Sequence, residues 1–293
     1  MAYYVLENDC LKVTAADMGA ELASIYDKEK QQEYLWNGDE KYWPRRAPVL
    51  FPVVGSLRNR QFVFEGKAYA MNQHGFARDM MFKCISQKDN SIWFRLCSDA
   101  STKAHYPFDF VLEIGYMLEG RRLKVLWKVM NPSEKTMYFS IGAHPGFMCP
   151  LRKAEKQTDY FIDFHTDKDI EYNLIKADGL VGIYGKRLHL DHGVTAIDAH
   201  MFDRDALIVE DHQTQKVSLL DADQQPYVTV HFDAPLFGLW SPAGKAAPFV
   251  CIEPWYGRCD SVDFEGELPL RAYGQALSGK DTFEKEYVIE IHE

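Results

Sequence analysis

The chain has 293 residues, 46% of them hydrophobic and 14% aromatic, enough apolar material for one large β-domain or two smaller domains. A formal net charge of −10 removes nucleic acid from the candidate partners, because binding phosphates requires a basic face. No run approaches the roughly 18 continuous apolar residues of a membrane helix, so no membrane partner is expected.

The N-terminal MAYYVLENDC lacks a basic stretch followed by an apolar run, so no signal peptide is expected. The six cysteines, Cys10, Cys84, Cys97, Cys149, Cys251 and Cys259, form no C-x-x-C pair and are sparse for a disulfide framework. Free, mostly buried thiols in a reducing cytoplasm are the expectation.

Tyr3–Glu7 and Leu11–Ala16, separated by Asn8-Asp9, predict a hairpin. Gly19–Tyr26 alternates again and meets a polar turn at Asp27–Gln32. Tyr34–Pro44, with Trp36 and Trp43, predicts an ordered aromatic loop, and Pro48–Val54 is too short and too broken by proline for a helix. Phe62–Phe64 and Lys67–Ala70 flank Glu65-Gly66 as a second hairpin. Further strands are predicted at Ser91–Ser98, Val111–Leu118, Leu123–Met130, Met137–Ile141, Tyr160–Phe164, Ala206–Glu210 and Lys216–Leu220. Tyr227–Phe232, Phe237–Trp240, Phe249–Glu253 and Glu286–His292 complete the set. Helical turns are expected only at Asp198–Phe202 and Tyr273–Leu277, while Pro150–Leu190 reads as a loop-rich elaboration or a sheet edge. Strands recurring about every 8–15 residues predict an all-β sandwich or barrel, with residues 1–293 in a single domain.

Two stretches carry candidate chemistry. Tyr138–Pro150 alternates like a strand, then breaks into Gly142-Ala143-His144-Pro145-Gly146. Pro145 biases His144 towards extended backbone, so a titratable ring is held at a strand end. By itself this is equally a strand-to-loop turn with an incidental histidine. In Pro248–Ser261, four apolar residues run into Glu253, followed by Pro254 and Trp255. A carboxyl group ending a buried strand is costly to desolvate unless paired, and Pro254 is expected to end the ladder there. The structural alternative pairs Glu253 with an arginine such as Arg258.

A third stretch, Asn72–Asp79, offers an amide, an imidazole and a guanidinium around a glycine. Arg45, Arg46, Arg58 and Arg60 surround Pro48–Val54, a concentration of donors suited to hydroxyls or an anionic group, although each could equally be solvated charge. His189 and His192 lack a third spaced ligand, so no metal is expected. No G-x-S-x-G elbow, P-loop or G-x-G-x-x-G is present, and Cys149 is read as structural.

At these residues the chain resembles a known family. G-A-H-P-G-F at His144, H-G-F-A-R at His74, C-I-E-P-W at Glu253 and R-A-P-V-L-F-P-V-V-G at Arg46–Gly55 look like the galactose mutarotase-like superfamily, aldose 1-epimerase family, LacX-like branch. The resemblance implies a large antiparallel β-supersandwich whose open cleft binds an aldose. It also implies Glu253 as general base on the anomeric hydroxyl and His144 as general acid on the ring oxygen. His74 would hydrogen-bond the sugar, Asp205 is the candidate aspartate for its hydroxyls with Asp203 and Asp260 as alternatives, and Arg46, Arg58 and Arg78 are the candidate cationic contacts. The family's G-R-x-x-N-R pattern corresponds here to Gly55-Ser56-Leu57-Arg58-Asn59-Arg60, which leaves open which arginine reaches the sugar.

The expected function is therefore a cofactor-independent aldose 1-epimerase acting on a small sugar or sugar phosphate. A glutamate near about 4.3 and a histidine near about 6.5 can hold opposite protonation states around neutrality. The alternatives are a non-catalytic sugar-binding or sensing protein on the same scaffold and a purely structural protein.

Overall fold

The computed structural model describes residues 1–293. Two large antiparallel sheets dominate. One has nine strands in the order Val194–Ala196, Phe161–Asp163, Lys216–Leu220, Pro226–Phe232, Thr282–Ile291, Arg122–Met130, Val111–Glu119, Ser91–Cys97 and Lys83–Lys88. The eight-stranded sheet runs Val181–Leu188, Ile170–Ile175, Leu207–Val209, Leu236–Trp240, Phe249–Tyr256, Ile141–Ala143 and Val49–Leu50, with Gly146–Met148 also paired to Phe249–Tyr256. A four-stranded sheet from Tyr3–Glu7 to Gln32–Glu33, the hairpin of Gln61–Phe64 with Lys67–Ala70 and one further two-stranded pairing add to these.

The layers follow from strand alternation. In Arg122–Met130, Leu123, Val125, Trp127 and Val129 face a common core of 64 buried residues while the intervening Lys124 and Lys128 face outward. From the other sheet, Phe237, Leu239, Val250, Ile252 and Tyr256 enter the same core. This is the all-β sandwich predicted from the strand spacing. The whole of Phe249–Tyr256 is buried, because both faces of its sheet are covered. That explains why it reads as a continuous apolar run.

Three local expectations are corrected. Met137–Ile141 is two strands, Met137–Phe139 and Ile141–Ala143, because the intervening Ser140 N–H turns to the carbonyl of Pro52. The helical turn expected at Tyr273–Leu277 is instead a strand, Gln275–Leu277, paired with Met137–Phe139. Pro254 does not end its strand, which continues to Tyr256. The missing N–H falls where the neighbouring ladder is already interrupted.

Candidate active site

That interruption builds the site. On one side of Phe249–Tyr256, Gly142 pairs with Trp255 and Gly146 pairs with Cys251. The two pairings share one register, so His144, in the gap between them, lies directly across from Glu253. Pro145 keeps contact through its carbonyl, which accepts from Ile252 N–H at 3.3 Å. Strand alternation sends Val250 and Ile252 to the inter-sheet core and Cys251, Glu253 and Trp255 to the opposite face. On the other side of the strand, Glu253 faces Gly238.

Gly142 and Gly238 lie on either side of the Trp255 ring. A Cβ at Gly142 would lie 2.6 Å from Trp255 Cδ1, and one at Gly238 would lie 2.5 Å from Cη2. Only glycine lets the indole lie flat across both strands, where its Nε1–H donates to Ala143 O at 3.2 Å. The carboxyl and imidazole are thus set on a stiff floor.

His144 Nε2 and Glu253 Oε2 are 3.3 Å apart at the base of an open cleft of about 1440 Å³. The two residues are only 8% and 1% exposed. The contact is not aligned as a hydrogen bond: Glu253 Oε2 and His144 Nδ1 are both buried without a partner. Burial, reinforced by the nearby Asp205 carboxylate, raises the Glu253 carboxyl well above its usual range. Burial, with the Arg78 and Arg45 guanidiniums adding to it, pushes His144 down to about 3. Both groups are therefore driven towards their neutral forms, and together they retain one proton through neutrality.

The remaining wall comes from several loops. His74 sits at φ 65° in the turn after Asn72, and its Nδ1 accepts the Gly55 N–H at 3.1 Å. Its own proton is consequently on Nε2. Burial, the repulsion that His74 and His144 would exert if both were charged, and the Arg78 and Arg45 guanidiniums push His74 well below its usual range, so as the neutral ring it is a hydrogen-bond donor to the cleft. Asp205 lines the cleft from a left-handed turn at φ 69°, its side chain accepting from Ala206 N–H at 2.9 Å. Burial raises its carboxyl, against the opposing hydrogen bonds from Ala206 and Trp240.

The arginines divide. Arg78 lines the cleft, donating Nη2 to Gln73 O at 2.8 Å while its buried Nε has no partner. Burial lowers it to about 10, so it remains cationic at neutral pH. Arg58 is directed elsewhere: its Nη1 donates to Phe264 O at 2.8 Å and pairs with Glu265. Arg60 takes the place in the lining. Arg46 also lies outside the lining; its side chain rests against Gly38 and its carbonyl accepts the Gly146 N–H at 2.9 Å, which steadies the His144 turn. The pairing weighed for Glu253 is absent, since Arg258 binds Glu210 at 2.8 Å.

Trp43, from the aromatic loop, was not singled out as a site residue. Its ring lies 4.7 Å from that of His144, and it walls the cleft with Trp240. Lys176–Gly179 also joins the lining. Aromatic density in an otherwise charged loop was the available signal for Trp43; nothing in the local sequence marks Lys176–Gly179.

Comparison with known proteins gives the family and the fold type. The family profile described as aldose 1-epimerase matches residues 3–268, and the chain belongs to that family. Its relatives are more particular. Protein LacX (chromosomal) of Lactococcus lactis subsp. lactis is 32% identical over 295 residues, covering 98% of each chain. The galactose mutarotase related enzyme of Lactobacillus acidophilus is 33% identical and superposes with a TM-score of 0.93, covering 100% of this chain and 98% of that one. A galactose mutarotase-like protein from Lactobacillus casei gives 28% identity and a TM-score of 0.92, covering 99% and 100%. The supersandwich is thus of the galactose mutarotase type.

Proposed function

We propose that the protein is an aldose 1-epimerase that interconverts the α and β anomers of a hexose or hexose phosphate. The observation that carries this reading is the opposed His144–Glu253 pair, 3.3 Å apart on the floor of an open cleft. Glu253 takes the proton of the anomeric hydroxyl while His144 protonates the ring oxygen. The ring opens, the C1–C2 bond rotates, and the reverse transfers close the other anomer. His74 donates its Nε2–H to the sugar, Asp205 orients hydroxyls, and Trp43 and Trp240 offer apolar faces to its C–H surface.

Electrostatics supply the driving force. Before transfer, the pair must be a carboxylate facing an imidazolium; after ring opening, it is a neutral acid facing a neutral base. Burial favours the neutral form of each group. The same desolvation that disfavours the ion pair therefore drives the proton through the sugar. No proton has to be exchanged with solvent within the cycle.

Five basic residues of the lining, Arg60, Arg78, Lys176, Arg204 and Lys245, support including phosphorylated hexoses, and an equal number of acidic residues suits sugar hydroxyls. Anomer exchange measured by NMR or polarimetry tests the activity, with glucose, galactose and their 6-phosphates compared side by side. Thermal shift by these sugars without accelerated exchange would make the protein a sugar-binding module instead.

A further inference from the structure

We propose that the floor of the cleft is also a binding site for a thiophilic divalent cation of the Zn²⁺ class. An ion seated there inhibits anomer exchange by occupying both proton-transfer groups. The inhibition rests on the mutarotase reading; the binding does not.

A nitrogen of His144, the sulfur of Cys251 and a carboxylate oxygen of Glu253 lie within 4.8 Å of one another, and all three residues are buried. Cys251 and Glu253 are two positions apart on one strand, so both project to the same face, and the strand register sets His144 opposite. A tetrahedral ion with bonds of about 2.0–2.1 Å spans ligand atoms about 3.3 Å apart. The His144 Nε2 to Glu253 Oε2 separation is 3.3 Å. A mixed nitrogen, sulfur and oxygen set suits Zn²⁺ and is refused by Mg²⁺ and Ca²⁺, which take oxygen.

A second observation points to a ligand. Glu253 Oε2 is buried with no hydrogen-bond partner, and Glu253 is only 1% exposed. Unmet buried polar atoms of this kind are uncommon in folded proteins. His144 and Glu253 line the cleft, so an ion reaches them from solvent, and the fully buried Cys251 closes the site from behind.

The charge balances. Burial pushes both the Cys251 thiol and the Glu253 carboxyl up from their usual ranges. On binding, an S–H and an O–H bond break, two protons leave to solvent, and the thiolate and carboxylate each form a bond to the ion. Neutral His144 contributes a lone pair and water from the cleft fills the fourth position, with no change of oxidation state. A divalent ion with two anionic ligands is neutral overall, which lowers the cost of burying it. Of the other charged or titratable groups around the site, Asp205 favours the cation, Arg78 and Arg45 oppose it, and His74 is held neutral.

Titration of the full-length protein with Cd²⁺, followed by the ultraviolet thiolate-to-metal charge-transfer band, tests the site directly. One ion per chain is expected. The band should persist when the more accessible Cys10, Cys84 and Cys97 are replaced by serine and disappear in Cys251→Ser. Zn²⁺ should inhibit exchange competitively with sugar, its apparent affinity rising with pH because binding displaces protons. A band unchanged in Cys251→Ser, or stoichiometric binding with exchange unaffected, overturns the proposal. If Cys251→Ser does not fold, Glu253→Gln decides: affinity should fall at least tenfold, and unchanged binding overturns the site. Failure of the metal-free protein to exchange anomers would count against the mutarotase reading alone.

Discussion

Two histidine clusters in this protein make an instructive contrast. On the outer face of the nine-stranded sheet, around a hollow of about 280 Å³, His165 Nε2 meets Ser218 Oγ at 2.7 Å and Ser218 meets Thr229 Oγ1 at 2.6 Å. Thr229 in turn meets His292 Nε2 at 2.7 Å, and Asp163 sits 3.3 Å from His165 Nδ1. That chain leaves no buried side-chain nitrogen or oxygen without a hydrogen-bond partner. The cleft cluster does the reverse: His144 and Glu253 face each other closely, yet each keeps a buried atom unpartnered. A saturated network rigidifies a sheet, whereas an unsaturated one is waiting for a ligand. Hydrogen-bond accounting separates the two clusters where residue type alone does not.

The sharpest way to break this contrast is kinetic. Glu253→Gln and His144→Asn should each slow anomer exchange by roughly 10²–10⁴-fold, as expected for loss of a proton-transfer partner. His165→Asn should leave the rate within about twofold. Equal losses in His165→Asn and His144→Asn would dissolve the distinction.

Stability effects should be distributed the other way. Ser218→Ala leaves His165 and Thr229 short of a partner and should destabilise the fold by about 1–3 kcal/mol in denaturant titration. Glu253→Gln removes a carboxyl that burial holds above its usual range. Because the native state retains that proton more tightly than the unfolded chain does, wild-type stability falls as pH rises above about 4.3. The variant should therefore be the more stable protein at neutral pH, by about 1 kcal/mol, while losing activity. A Glu253→Gln protein that melts below wild type would refute the unpaired, desolvated carboxyl.

The last effect is a slope rather than an offset. His144 is lowered to about 3, so between that value and about 6.5 the unfolded chain binds the proton and the native protein does not. Stability must rise with pH across this window, and His144→Asn should flatten the rise by about 1.4 kcal/mol per pH unit. An undiminished slope would place the acid sensitivity at the outer cluster, where burial also lowers His165 and His292.

Much of the sheet was legible in the sequence. Tyr3–Glu7, Leu11–Ala16, Lys67–Ala70 and Lys216–Leu220 have the predicted bounds, because alternation ends at a turn residue in each case. Ile170–Ile175 and Val181–Leu188 lie in Pro150–Leu190, which the sequence offers as a loop-rich elaboration or a sheet edge without marking either strand. They form one edge of the eight-stranded sheet, where exposed polar residues and two register shifts blur the period. Arg58 and Arg60 show the same limit in a turn. Asn59 and Arg60 both adopt positive φ, so side-chain direction there follows no repeat that could be read in advance.

By itself, the sequence determined that an imidazole and a carboxyl each follow an apolar run and precede a proline. Local sterics and strand alternation suffice for that. Only the tertiary structure decided that the two runs are neighbours, in a register that closes more than a hundred positions of chain to 3.3 Å. It also decided that Arg60, and not Arg58, turns to the cleft. Strand adjacency is set by long-range hydrogen bonding and by the core the two sheets share, and neither is written into any short stretch of residues.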